Sequence, residues 1–133
     1  MPTAEQIALA LAGKDSLRIQ PSGAYAANQL GLSEQIPAKL IFLTDGANRK
    51  VKVGNQEIHL KQTTPKNMKT AGSVSGLVIQ ALRYLGKEHV DKRIIAILGR
   101  RLSTDDRRQL LKDIRYAPAW IGVIFRRLAE EGK

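Results

Sequence analysis

The sequence predicts an α+β fold: a small antiparallel sheet with a β-hairpin, packed against N-terminal helices and a C-terminal helical half. Three observations predict it. Strand signals are confined to residues 17–62, helical spacing of apolar residues fills the chain from residue 74 onward, and no repeated strand-helix alternation marks a doubly wound parallel sheet. The 133 residues, 43% of them hydrophobic, suit a single domain with one core, its sheet-containing part over about 1–70 and its helical part over about 71–133.

The elements follow in order. Thr3 to Ala12 carries good helix formers with Ile7, Leu9 and Leu11, and Gly13 closes it. Leu17 to Ile19 reads as a short strand. Ser22 is placed to cap a second helix through Ala24, Ala26 and Ala27 to Leu30, with Gly31 as its stop. Leu40 to Leu43 is a continuous apolar run between Pro37 and the turn at Asp45-Gly46, which predicts a central strand buried on both faces.

Arg49 to Val53 and Gln56 to Gln62 then alternate apolar and polar about Gly54-Asn55, a dipeptide suited to a tight hairpin. A two-residue loop pairs Val51 with Ile58, Lys52 with Glu57 and Val53 with Gln56. That register gives the hairpin an apolar face of Val51, Val53, Ile58 and Leu60 and a basic face of Lys50, Lys52, His59 and Lys61, because side chains alternate along a strand.

Thr63 to Gly72 is a polar connection. Beyond it, Val74, Leu77, Val78, Ala81, Leu82 and Leu85 mark one helix, and Val90, Ile94, Ile97 and Leu98 mark another. Ser103-Thr-Asp-Asp is a helix start with acids in the first turn, leading to Leu110, Leu111 and Ile114. Pro118 opens a last helix containing Trp120, Ile121, Ile124 and Leu128.

Composition narrows the chemistry. With no cysteine, thiolate metal sites, disulfides and cysteine nucleophiles are excluded, and a reducing compartment is the natural setting. His59 and His89, the two histidines, lack a second histidine at ligand spacing, so no metal and no cofactor is expected. Gly13-Lys14 lacks the glycine five residues earlier that a phosphate loop requires, since that position is Ala8. Asp45 reads as a turn residue bonded to its own backbone, and Asp105 and Asp106 as capping acids. Apolar runs are too short to span a bilayer and no secretion signal is evident, so the chain reads as cytoplasmic, with no membrane partner.

Twenty-two Lys and Arg against twelve Asp and Glu leave a formal charge of +10, which favours polyanions or acidic protein surfaces. The doublets Arg100-Arg101, Arg107-Arg108 and Arg126-Arg127 read as solvated helix faces. Arg49, Lys50, Lys52 and Lys61 of the hairpin, with Lys66, Asn67 and Lys69 just after it, are the candidates for partner or nucleic-acid binding. The few aromatic residues are not interleaved with basic ones as a base-stacking platform requires.

Pro21-Ser-Gly-Ala-Tyr-Ala-Ala-Asn-Gln-Leu-Gly-Leu-Ser, Leu43-Thr-Asp-Gly, Arg49-Lys-Val-Lys-Val-Gly and Pro65-Lys-Asn together resemble the AbiEi-like antitoxin family of bacterial type IV toxin-antitoxin systems, and Ala117-Pro-Ala-Trp-Ile adds to the likeness. The resemblance is to the C-terminal antitoxin domain, without the N-terminal winged helix that binds an operator. It implies a non-enzymatic protein of phage defence by abortive infection, counteracting a nucleotidyltransferase-like toxin. Ser22, Tyr25 and Asp45 fall within the resembling segments and are added as a candidate functional surface. Two alternatives stand beside this: a nucleic-acid-binding transcriptional regulator using the same basic hairpin, and an enzyme built around Tyr25, Asp45 and Lys66.

Overall fold

The computed structural model describes residues 3–13 and 18–131. Helix α1 (Ala4–Ala12) begins with a capping box, in which Thr3 Oγ1 accepts from the Gln6 amide at 3.1 Å and Gln6 Oε1 accepts from the Thr3 amide at 2.8 Å. Strand β1 (Ile19–Ser22) runs directly into α2 (Gly23–Gln29), followed by β2 (Lys39–Thr44), β3 (Arg49–Val53) and β4 (Gln56–Gln62). Four further helices complete the chain: α3 (Val74–Leu85), α4 (Lys92–Arg101), α5 (Thr104–Lys112) and α6 (Ala119–Glu131). The α+β class is as the sequence predicts. Of the expected strand at 17–19, Leu17 lies outside the described residues and Ile19 opens β1.

The four strands form one sheet in the order β1-β2-β4-β3. Its hairpin has the predicted register, with Val51 opposite Ile58, Lys52 opposite Glu57 and Val53 opposite Gln56. Gly54 sits at φ 62 while Asn55 keeps a negative φ, the pattern of a type II′ turn, whose twist matches that of the flanking strands. The sheet is mixed rather than wholly antiparallel: β1 pairs antiparallel with β2, but β2 pairs parallel with β4. The hairpin therefore docks through its second strand and leaves β3 at the edge.

Paired residues point to the same side of a sheet. On one face Leu40, Phe42, Ile58 and Leu60 meet Ala8 and Ala12 of α1 in an apolar cluster. Among the described residues, the opposite face is covered toward β1, where α3 crosses and Gln20 is buried. The expectation that Leu40–Leu43 is buried on both sides is corrected accordingly. Leu40 and Phe42 are buried, whereas Ile41 and Leu43, which alternate with them onto the other face, are half-buried.

Two hydrophobic clusters result. The larger joins α3, α4, α5 and α6 through residues such as Val78, Leu82, Leu98, Leu110, Ile121, Phe125 and Leu128. It also takes in Ala26, Ala27 and Leu30, so α2 packs with the helical half although it lies far N-terminal in sequence. The chain position near residue 70 is thus not a packing boundary.

Where α3 meets β1 the approach is extremely close. A β-carbon placed on Gly76 would stand 2.3 Å from the Thr70 carbonyl oxygen and 2.4 Å from Gln20 Oε1, so only glycine fits there. The buried Gln20 amide is satisfied locally: Oε1 accepts from the Gly72 amide at 3.2 Å and Nε2 donates to the Pro21 carbonyl at 3.1 Å.

Several local expectations are refined. Ser22 occupies the N-cap position of α2 without capping it, and its hydroxyl donates instead to Gln80 Oε1 at 3.1 Å, tying β1 to α3. At the end of β2 the turn bond is made by Thr44, whose Oγ1 accepts from the Gly46 amide at 3.2 Å, rather than by Asp45. Helix α5 starts at Ser103, its N-cap, as expected, where Ser103 and Asp106 form a capping box. Of the arginine doublets, Arg107 is not a solvated face: its guanidinium bonds the carbonyls of Gly99 and Leu128. Among the described residues no helix is long and apolar enough to cross a membrane.

Candidate binding surface on the sheet

The uncovered sheet face is a short grid. Its first row runs Lys52, Glu57, Lys39 across β3, β4 and β2; its second runs Lys50, His59, Ile41 and, on β1, Ser22; its third sets Lys61 beside Leu43. Rows are about 6–7 Å apart and neighbouring strands about 4.8 Å, so four cation-capable side chains of the hairpin share a small area. Asn48 extends β3 by one more step, its Oδ1 accepting from the Gln62 amide at 2.6 Å.

Over the second and third rows lies a recess of about 580 Å³ bordered by Ile41, Asn48, Arg49, Lys50, His59, Leu60 and Lys61. His59 sits in the middle row with its side chain 28% exposed, and its Nε2 lies 3.4 Å from Glu57 Oε2. Lys50 and Lys61 are exposed and have no carboxylate within ion-pair distance among the described residues. The face thus combines uncompensated positive charge at its rim with aliphatic surface from Ile41 at its floor.

The sequence candidates divide on this geometry. Lys50, Lys52 and Lys61 share the face as the register requires, and His59 joins them. Arg49 belongs by register to the opposite face, opposite Leu60, yet borders the recess from the strand edge. Lys66, Asn67 and Lys69 lie in or beside a 3₁₀ turn over Pro65–Met68 and do not border it; Asn67 Nδ2 donates to Thr63 Oγ1 at 2.9 Å. Ile41, on another strand, was not anticipated as part of the site, because only the parallel β2–β4 pairing brings it next to His59.

Tyr25 belongs to the packing of the opposite side. Its ring meets Phe42 edge to face, centroids 5.3 Å apart, and burial, then the nearby Glu5 charge, raises its hydroxyl pKa above the usual 10.0. Ser22 is committed to Gln80 and Asp45 is exposed at the strand end. A second groove of about 450 Å³ runs beside β1, where Leu9, Ile19, Pro21, Val74 and Leu77 give an apolar lining and Glu5 and Arg18 add charge. Neither this groove nor the basic recess is lined by Tyr25, Asp45 or Lys66. Among the described residues no group of three His, Asp or Glu is placed to hold a metal ion.

The fold and its face therefore define an α+β protein with one basic, uncovered sheet surface. Residues 1–110 match a family described as a family of unknown function, DUF6088, and the chain belongs to that family. No curated protein matches the chain, and no solved structure does.

Proposed function

We propose that this protein is a non-enzymatic antitoxin-type domain that acts in the bacterial cytoplasm through the basic face of its sheet, counteracting a nucleotidyltransferase-like toxin. The role is motivated by the resemblance of residues 21–67 to AbiEi-like antitoxins. The observation that carries the surface is the uncovered row-and-column arrangement of Lys50, Lys52 and Lys61 around His59, in which the three lysines present positive charge with no carboxylate at ion-pair distance among the described residues. Lys66, Asn67 and Lys69 flank that face in sequence and extend the contact region in this proposal.

The test is growth of cells expressing a neighbouring candidate toxin together with either the parent chain or Lys50→Glu/Lys52→Glu/Lys61→Glu, with folding of the variant checked by circular dichroism. Rescue by the parent alone is the expected result. Rescue by both retains the role and rejects the surface; rescue by neither, with an active toxin, rejects the role for this domain.

The second reading is nucleic-acid contact by the same face, as in a transcriptional regulator. The regular spacing of the lysines along β3 and β4 favours it, since phosphate contacts need charge and not aromatic stacking. Such binding weakens steeply with salt and has little base preference, so titrations at two ionic strengths that show no affinity at either would exclude it.

A further inference from the structure

We infer that the recess around His59 is a binding site for a nucleotide-sized phosphate ester. The inference deepens the reading of this face as the contact surface, yet it needs no toxin, so binding in vitro and rescue in cells fail independently. Four polar groups converge from two strands and the residue preceding them: Asn48, Lys50, His59 and Lys61. Lys50 and Lys61 are diagonal neighbours across the β3–β4 ladder, with backbones about 7–8 Å apart, so two ammonium groups on four-carbon stems close on one anion held between them. Arg49 adds a guanidinium, whose fork matches a phosphoryl group, at the rim.

Charge alone would suit any anion, and the shape narrows the class. At about 580 Å³ the recess has the size of a small-molecule site rather than that of a single ion. Ile41 beside His59 supplies an aliphatic floor, which offers the organic part of an ester a surface that water hydrates poorly. The carboxylate nearest the site, Glu57, lies 3.4 Å from His59 Nε2 and does not border the recess; it stands in the adjacent row between Lys52 and Lys39. Its place on the imidazole favours the ring orientation that keeps one nitrogen toward Glu57 and leaves the other for the ligand.

The test uses the full chain labelled with ¹⁵N and titrated separately with ADP, inorganic pyrophosphate and an oligonucleotide lacking a terminal phosphate. Saturable shifts from ADP confined to the amides of 48–50 and 59–61, with weaker binding of pyrophosphate, are expected. Lys50→Gln/Lys61→Gln is expected to weaken ADP by about tenfold or more, as loss of two charge-assisted contacts implies. Lys92→Gln/Lys112→Gln removes the same charge from exposed helical positions and should leave the affinity unchanged. Absence of saturable shifts, or equal weakening in both double variants, overturns the site. Pyrophosphate binding as tightly as ADP overturns the ester assignment, and oligonucleotide affinity that grows with length makes the face a nucleic-acid track instead.

Discussion

The guanidinium of Arg107 donates to the main-chain carbonyl of Leu128, in the last turns of α6, and with its other terminal nitrogen to Gly99 near the end of α4. Carbonyls in the last turn of a helix lack intrahelical donors, and a cation there also meets the negative end of the helix dipole. One side chain of α5 thus closes two helix ends at once. Arg107→Gln is expected to lower stability by about 3 kcal/mol, below the sum of two charged hydrogen bonds at about 1.5–3 kcal/mol each because water partly screens the group. Arg108, whose 3.5 Å partner Asp105 is almost fully exposed, should change stability by less than about 0.5 kcal/mol when replaced by Gln. Urea denaturation of the two variants separates them.

Gly76→Ala should be strongly destabilising, at or above the upper end of the roughly 1–3 kcal/mol typical of overpacking, because both crowding oxygens belong to groups that are held in place. Gly122→Ala is the internal comparison. There the added carbon meets Ile114 Cγ2 at 3.4 Å and the Ile114 carbonyl oxygen at 3.9 Å, so the gain in helix propensity, up to about 1 kcal/mol, offsets the contact. Thermal melts of the pair should move in clearly different degrees, and equal shifts would refute the close-approach account.

Tyr25 predicts an alkaline weakness. Burial and the charge of Glu5 favour its protonated form in the folded chain, so the folded pKa lies above the unfolded 10.0. The stability this contributes is complete below the unfolded value and is lost as pH rises through the folded one. Tyr25→Phe should therefore lose less stability than the parent between neutral pH and pH values above 10, as measured by urea midpoints at each pH.

Salt provides a check on the open face. Affinity for any polyanion held through Lys50, Lys52 and Lys61 should fall linearly on a double-logarithmic plot against salt, and the triple Lys→Gln variant should flatten that slope by about 2–3, near one unit per lost contact. A slope unchanged in the variant would place the contacts on the helical half.

Much of this was legible in the sequence, and what was not has a physical cause. The hairpin register follows from Gly54-Asn55 and the alternation on either side, both local signals, and the capping box at Ser103 is likewise written in four consecutive residues. The parallel pairing of β2 with β4 has no local signal, since it depends on which hairpin strand docks; Ile41 and His59 could not be joined without it. Ser22 carries the right residue type for a cap, but a partner 58 residues away competes for its hydroxyl. Arg107 looks like its neighbour Arg108 in any reading of composition. Only the convergence of the α4 and α6 ends on Arg107 distinguishes them.

The insertion of β4 between β2 and β3 also bears on how the chain reaches its final form. A two-residue turn lets β3 and β4 meet early, because closing so short a loop costs little entropy, whereas β2 and β4 must find each other across the intervening strand. The basic side of the hairpin exists as soon as the ribbon does, but its aliphatic floor arrives only on docking. Any ligand that needs both will consequently bind the docked ribbon and not the free one, and its presence should slow hydrogen exchange along the β2–β4 seam more than within the hairpin itself.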